Sequence, residues 1–200
     1  MSLFYTLAYT VGFKPWERAA TREAGRIAAM FDREERERQP PHRSALDLGC
    51  GTGMQSIELA RRGWQVTGID IVSRAVRDAR RRAHAAGVDV RFIDGDATAL
   101  RAAGFGFGLV LDFGMFHGLD DAQRAAMGQE VTAVTAPGAT LLMIAWAPGR
   151  RRPLPRGASR TDITAAFPAW TIIGEEALPA SALPGRLKNV NPRIYRLRRN

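Results

Sequence analysis

The chain has 200 residues, 29 Lys plus Arg against 20 Asp plus Glu, one cysteine and 46% hydrophobic residues. That length and balance fit a single folded domain with a sizeable core and exclude wholesale disorder, while the lone Cys50 excludes an intramolecular disulfide framework and a cysteine-based zinc ribbon. The net charge of +9 invites a polyanionic partner, but only Lys14 and Lys188 are lysines, and a surplus of Arg with abundant Ala and Gly is also what a GC-rich genome produces.

No apolar run approaches the ~20 residues of a membrane span. The apolar start, residues 1–13, has neither a basic n-region nor a clear small-residue cleavage site, so a cytoplasmic location is expected. Pro15 suits the first turn of a helix, and residues 16–38 read as that helix, with Ala20, Ile27, Ala28, Met30 and Phe31 on its apolar face and Pro40-Pro41 beyond its end. From Ser44 the pattern alternates. Strands are predicted at 45–48, 65–69, 88–93, 107–111 and 139–146. Helices are predicted at 54–62, from Ser73 as its cap to about Ala86, and over 120–135, with a helical turn near 97–103. Strands alternating with helices of this length imply βαβ units, a parallel sheet and helices on both faces. The Pro/Gly/Arg-rich stretch 147–160 breaks the rhythm, and a short helix near 161–167 with strands near 169–175 and 193–198 completes the chain.

The sharpest local signal is Leu46-Asp47-Leu48-Gly49-Cys50-Gly51-Thr52-Gly53, a strand running into a glycine-rich turn that opens a helix. Glycines there allow unusual backbone angles and close approach of a ligand, and the helix start offers unsatisfied N–H groups. Asp70 ends the next strand, where an acid can accept both hydroxyls of a ribose. A dinucleotide fingerprint wants Gly or Ala three residues after its second glycine, and Met54 stands there. A nicotinamide dehydrogenase is therefore disfavoured.

The pattern Asp-x-Gly-x-Gly-x-Gly, with Asp47 leading, resembles motif I of the class I S-adenosylmethionine-dependent methyltransferases. The resemblance continues through Val66 to Asp70, Asp94-Gly95-Asp96-Ala97, Phe107 to Gly114, and Ala136-Pro137-Gly138-Ala139-Thr140-Leu141-Leu142. It implies a Rossmann-like α/β fold, with a mostly parallel seven-stranded sheet, an antiparallel last strand and helices on both faces. It also implies S-adenosyl-L-methionine as cofactor, with S-adenosyl-L-homocysteine as product. The residues implied to hold the cofactor are Trp16, Asp47, Gly49, Cys50, Gly51, Gly53, Asp70, Ile71, Asp96, Ala97 and Asp112. Asp47 is expected to order the loop through backbone N–H groups, and Cys50 to be a packing residue. Asp96 is the better adenine candidate, with Asp94 capping the following turn. Asp112 is assigned to positioning either the cofactor's amino group or the loop.

Two segments resemble the thiopurine, halide/thiol and tellurite-resistance methyltransferases. One is Gly12-Phe13-Lys14-Pro15-Trp16-Glu17, and the other is the turn Leu111 to Leu119; Phe113 and the shorter 147–160 connection depart from that pattern. Residues 1–40 are then an N-terminal lid and helix, 44–146 the cofactor-binding core, and 147–200 a substrate-side segment with the final strands, all in one domain. Tyr9, Phe13, Trp16, Phe116, His117 and Trp146 are the candidates to line an apolar acceptor pocket. His117 is the candidate catalytic residue, as a general base or as an orienting group. The three histidines lack metal-ligand spacing, so no metal is expected. The expected activity is methyl transfer to a small apolar or aromatic acceptor through S, O or N. The alternatives are a nucleic-acid methyltransferase, against which stands the lack of an Asn/Asp-Pro-Pro-aromatic turn after strand four, and a cofactor-binding protein without turnover.

Overall fold

The computed structural model describes residues 21–38, 43–149, 155–179 and 190–200. Their elements run α1 (Ala24–Glu37), β1 (Ser44–Leu48), α2 (Met54–Arg61), β2 (Gln65–Asp70), α3 (Ser73–Ala85), β3 (Arg91–Asp94) and β4 (Phe107–Asp112). They continue with α4 (Asp121–Val134), β5 (Thr135–Trp146), α5 (Arg160–Ala166), β6 (Trp170–Ala177) and β7 (Pro192–Arg199). Short 3-10 turns lie at Arg101–Ala103 and Phe116–Gly118.

The strands form one seven-stranded sheet in the order β3-β2-β1-β4-β5-β7-β6. Pairing is parallel from β3 through β5, and β7 lies antiparallel between β5 and β6. This is the expected mostly parallel sheet with an antiparallel last strand. Alternation along each strand feeds two cores. Leu46, Leu48, Val110, Leu141, Met143 and Leu197 pack with Met127 and Val131 of α4 and Ile163 of α5. Ala45, Leu109, Leu111, Leu142 and Ile194 pack with Ile27, Met30 and Phe31 of α1 and Leu59 of α2. A smaller cluster joins Ile57 of α2, Val76, Ala79 and Ala83 of α3, and Phe92 of β3 to Cys50.

Chain order turns around at β1, whose neighbours are β2 on one side and β4 on the other. Such a reversal opens a crevice at the carboxyl ends of the strands, where open α/β sheets bind ligands. The glycine loop, Asp70 and the turn after β4 all lie at this end.

Some boundaries differ from expectation. β3 begins at Arg91 rather than at 88, because Val88 and Val90 pack beside the α3 cluster instead of pairing with β2. Ser73 is not the cap of α3; Val72 holds that position, with its N–H donating to Asp70 Oδ1 at 2.8 Å. β5 begins at Thr135, so Pro137-Gly138 interrupts the strand rather than preceding it, and the register with β4 shifts between Phe107 and Leu109. Two helix starts carry reciprocal capping boxes, Asp120 with Gln123 on α4 and Ser159 with Asp162 on α5.

Candidate functional site

The loop after β1 turns on three glycines with positive φ, Gly49 (65°), Gly51 (55°) and Gly53 (79°). Gly53 is the cap of α2 in the left-handed region, and a Cβ there would stand 2.7 Å from Phe92 Cζ. A side chain at this position would meet both backbone strain and the ring behind the loop. Cys50 N–H donates to Ile69 O at 3.0 Å, and Gly53 N–H to Cys50 O at 2.9 Å. Gly51 N–H donates to Asp70 Oδ2 at 2.8 Å. Asp70 therefore braces the loop with one carboxylate oxygen and accepts from Val72 N–H, just before α3, with the other. Burial pushes its carboxyl up, opposed by the Val72 and Gly51 N–H groups, with the Asp94 charge adding to the rise. Ile71 beside it is 51% exposed.

Asp47 is buried beneath the loop and accepts the Ser56 hydroxyl at 2.5 Å. Burial pushes its carboxyl up to about 7, held back by Ser56 and reinforced by the charges of Asp70 and Asp112. Its main tie is thus a side chain on α2, not the expected set of loop amides. Cys50 is buried, and its thiol is pushed up by that burial and by Asp47 and Asp70, which fits packing rather than nucleophilic chemistry.

Asp96 is exposed and accepts from Thr98 N–H and Thr98 Oγ1, both at 2.9 Å, so it shapes the turn after β3. Ala97 is buried next to it. That turn is tied to Asp70 through Gly95 N–H, which donates to Asp70 O at 3.0 Å. Of the two roles expected for Asp112, the loop is the one its bonds show: its buried carboxylate accepts from Gly114, Met115 and Phe116 N–H at 3.1, 2.7 and 2.9 Å and folds the turn after β4. Burial raises it to about 6 against those three donors.

On the same turn, Phe116 is a core residue rather than a pocket wall. Its ring lies 5.8 Å from that of Phe167 and beneath the Arg124 guanidinium at 5.0 Å. His117 is 2% exposed and stacks on Trp146, with ring centroids 4.6 Å apart and planes 14° apart. Trp146 N–H donates to His117 Nδ1 at 3.4 Å. Gly157 N–H donates to His117 O, and Ala158 N–H to Trp146 O, so the segment after β5 is stitched to this stack. Tyr9, Phe13 and Trp16 lie outside the described residues. Among the described residues no group of His, Cys, Asp and Glu could hold a metal ion. A cleft of about 150 Å³ between α1 and the sheet, floored by Met30, Leu142 and Ile194, lies away from the strand tips.

Four contributors escaped the sequence reading: Ser56, Thr52, Arg82 and Arg124. Ser56 stands on the first turn of α2, a place from which it can reach back to β1, but nothing in its spacing names Asp47 as partner.

Residues 45–138 match the family model for the methyltransferase domain. A demethylmenaquinone methyltransferase of Thermus thermophilus is 38% identical over 106 residues, covering 52% of this chain and 47% of that protein. A ubiquinone biosynthesis O-methyltransferase of Sinorhizobium medicae is 37% identical over 101 residues, covering 50% of this chain and 40% of that protein. The chain thus spans about half the length of the curated relatives it matches. The fold resembles that of magnesium protoporphyrin IX methyltransferase from Synechocystis PCC 6803 solved with S-adenosylmethionine. The TM-score there is 0.76 at 18% identity, over 100% of this chain and 96% of that one. An N-methyltransferase from Bradyrhizobium japonicum solved with S-adenosylhomocysteine gives a TM-score of 0.69 at 21% identity, over 88% and 87% of the two chains. No helix among the described residues is long and apolar enough to cross a membrane.

Proposed function

We propose that the protein is an S-adenosylmethionine-dependent methyltransferase acting on a small apolar or aromatic acceptor through sulfur, oxygen or nitrogen. The observation that carries this reading is the Asp70 carboxylate at the tip of β2, bonded to the glycine loop that opens α2. The residues fit a nucleoside cofactor. The left-handed glycines leave a cradle without side chains, the start of α2 supplies N–H groups, Asp70 supplies ribose acceptors, and exposed Ile71 supplies an apolar face for a base. The cofactor, when bound, supplies a methyl group on a sulfonium that an acceptor displaces in line.

What the chain's own residues contribute is position and exclusion of water. Asp70 would offer ribose hydroxyls the carboxylate lone pairs that Gly51 and Val72 N–H leave free. Asp96 and Ala97 border the base, as the loop after β3 stands beside Asp70. His117 orients: its ring is held by Trp146 through stacking and through Nδ1, so it and Trp146 form a rigid floor on the acceptor side. The resemblance of the turn Leu111 to Leu119 to the thiopurine and halide/thiol enzymes supports a small acceptor, as does the demethylmenaquinone named for the Thermus thermophilus relative.

Isothermal calorimetry with S-adenosylhomocysteine tests the reading. Wild type should bind, and Asp70→Ala should weaken binding by about tenfold or more, as loss of a charged hydrogen-bond acceptor predicts. Equal affinity of the two proteins would sink the role of Asp70, and no binding by wild type would sink the function. Labelled cofactor with thiols, phenols and heteroaromatic amines then separates turnover from binding.

A further inference from the structure

The glycine loop has a second hold, from outside the β1–α2 unit that carries it. Thr52 stands between Gly51 and Gly53 and is 2% exposed. Its hydroxyl accepts a hydrogen bond of 2.6 Å from Arg82 Nη1, on α3. The same helix already touches the end of the loop, since a Cβ at Gly53 would lie 3.1 Å from Ala79 Cβ. Ala79 and Arg82 are three residues apart and share a helix face. The neighbouring arginines point elsewhere: Arg80 donates to Phe92 O at 2.7 Å, and Arg81 to Asp78 Oδ1 at 2.6 Å. The loop is thus pinned at Gly51 by Asp70 and at Thr52 by Arg82.

A ligand acts differently on the two pins. Ribose hydroxyls would share the Asp70 carboxylate with Gly51 N–H, so that pin would enter an exchange when a nucleoside binds. Arg82 holds a side-chain oxygen on the α3 side of the loop and is not drawn into that exchange. Its bond is charge-assisted, which makes it stronger than a neutral one. We infer that Arg82 and Thr52 are a positioning pair that keeps the glycine loop in its ligand-ready shape, so that their bond acts on cofactor affinity. This inference rests on the reading of the chain as an S-adenosylmethionine-dependent enzyme.

Calorimetry with S-adenosylhomocysteine on the whole chain tests it. Arg82→Leu and Thr52→Val should each weaken binding about tenfold. The double variant should lose less than the sum of the two singles, because both remove the Thr52–Arg82 bond. Arg82→Lys and Thr52→Ser should recover most of the affinity, and Arg81→Leu should stay within about twofold of wild type because its partner is Asp78. Wild-type affinity in Arg82→Leu overturns the inference. So do additive losses in the double variant, or a loss in Arg81→Leu as large as in Arg82→Leu, which would assign the effect to the charge of α3. Should Arg82→Leu fail to fold, the contrast of Thr52→Val with Thr52→Ser decides on the same scale. Failure of wild type to bind S-adenosylhomocysteine is a different result and removes the underlying function.

Discussion

Asp47, Asp70 and Asp112 stand at the ends of β1, β2 and β4, and each meets different partners. Asp47 has a hydroxyl, Asp112 has three amides of one turn, and Asp70 has one amide of the glycine loop and that of Val72 before α3. Burial raises all three, Asp47 the furthest, to about 7 from 3.8. The unfolded chain releases the Asp47 proton near 3.8, while the folded chain keeps it to about 7. Between those values the folded state binds more protons, so stability falls as pH rises, and the loss is complete above about 7. At ~1.4 kcal/mol per unit the cost at high pH is on the order of 4 kcal/mol. Asp47→Asn keeps an acceptor for Ser56 and removes the charge. Urea denaturation should show it more stable than wild type by on the order of 2–4 kcal/mol at pH 8, with the gain shrinking toward pH 5; a gain equal at both pH values would mean that Asp47 titrates normally. At this scale the glycines and Asp70 were legible because a strand, a turn and a helix follow one another in the chain. Which of the two roles assigned to Asp112 it takes was not, since that depends on the backbone angles of Gly114 to Phe116.

The element that organises the acceptor side is α4. Its buried Arg124 donates to Gly157 O at 2.5 Å and to Phe116 O at 3.4 Å, and lies 3.5 Å from Asp162 of α5. Burial pulls its guanidinium down from the ordinary value, which marks a cation held by carbonyls rather than by solvent. One side chain thereby joins the turn after β4, the segment after β5 and the start of α5. One turn along, Gly128 lets α5 cross closely: a Cβ there would lie 1.8 Å from Ala166 O. That neighbour is backbone and cannot rotate away. Gly128→Ala should therefore destabilise the fold by about 2–3 kcal/mol, despite the better helix propensity of alanine, as thermal or urea unfolding would measure; an unchanged midpoint would show that α5 shifts freely. The order and type of elements could be read from the sequence because each has its own period and its own breakers. The crossing of α4 on α5 could not, because a glycine inside a helical pattern says nothing of what approaches it. The late start of β3 has a similar cause, with Val88 and Val90 claimed by the packing of α3.

For the molecule as a whole, the +9 charge is less available than its count implies. Arg196 Nε bonds Glu34 at 2.6 Å and its Nη2 bonds Glu37 at 2.7 Å, while Arg198 also pairs with Glu37. Arg38 Nη1 bonds Glu34 at 2.5 Å, and Arg62 meets Asp32, Glu35 and Glu58. The arginines near the C-terminus thus clamp β7 to α1. Partners so far apart in the chain cannot be assigned from charge spacing, which is why this part of the fold was illegible. The clamp also weakens the nucleic-acid reading, since paired guanidiniums are poor phosphate ligands. Its centre is Glu34, which is 0% exposed and holds two arginines. Removing one member of a buried pair leaves its partners short of a counter-charge, so Glu34→Ala should cost about 3 kcal/mol. Glu176, exposed and 3.8–3.9 Å from Arg33 and Arg26, is the contrast, and Glu176→Ala should cost no more than ~0.5 kcal/mol. Urea denaturation at low and at 1 M salt separates the two kinds of pair. Salt should erase the small Glu176 effect and leave most of the Glu34 effect, because a buried pair is poorly screened. Equal losses, or a Glu34 effect that salt abolishes, would mean that α1 is held to the sheet by its apolar face alone.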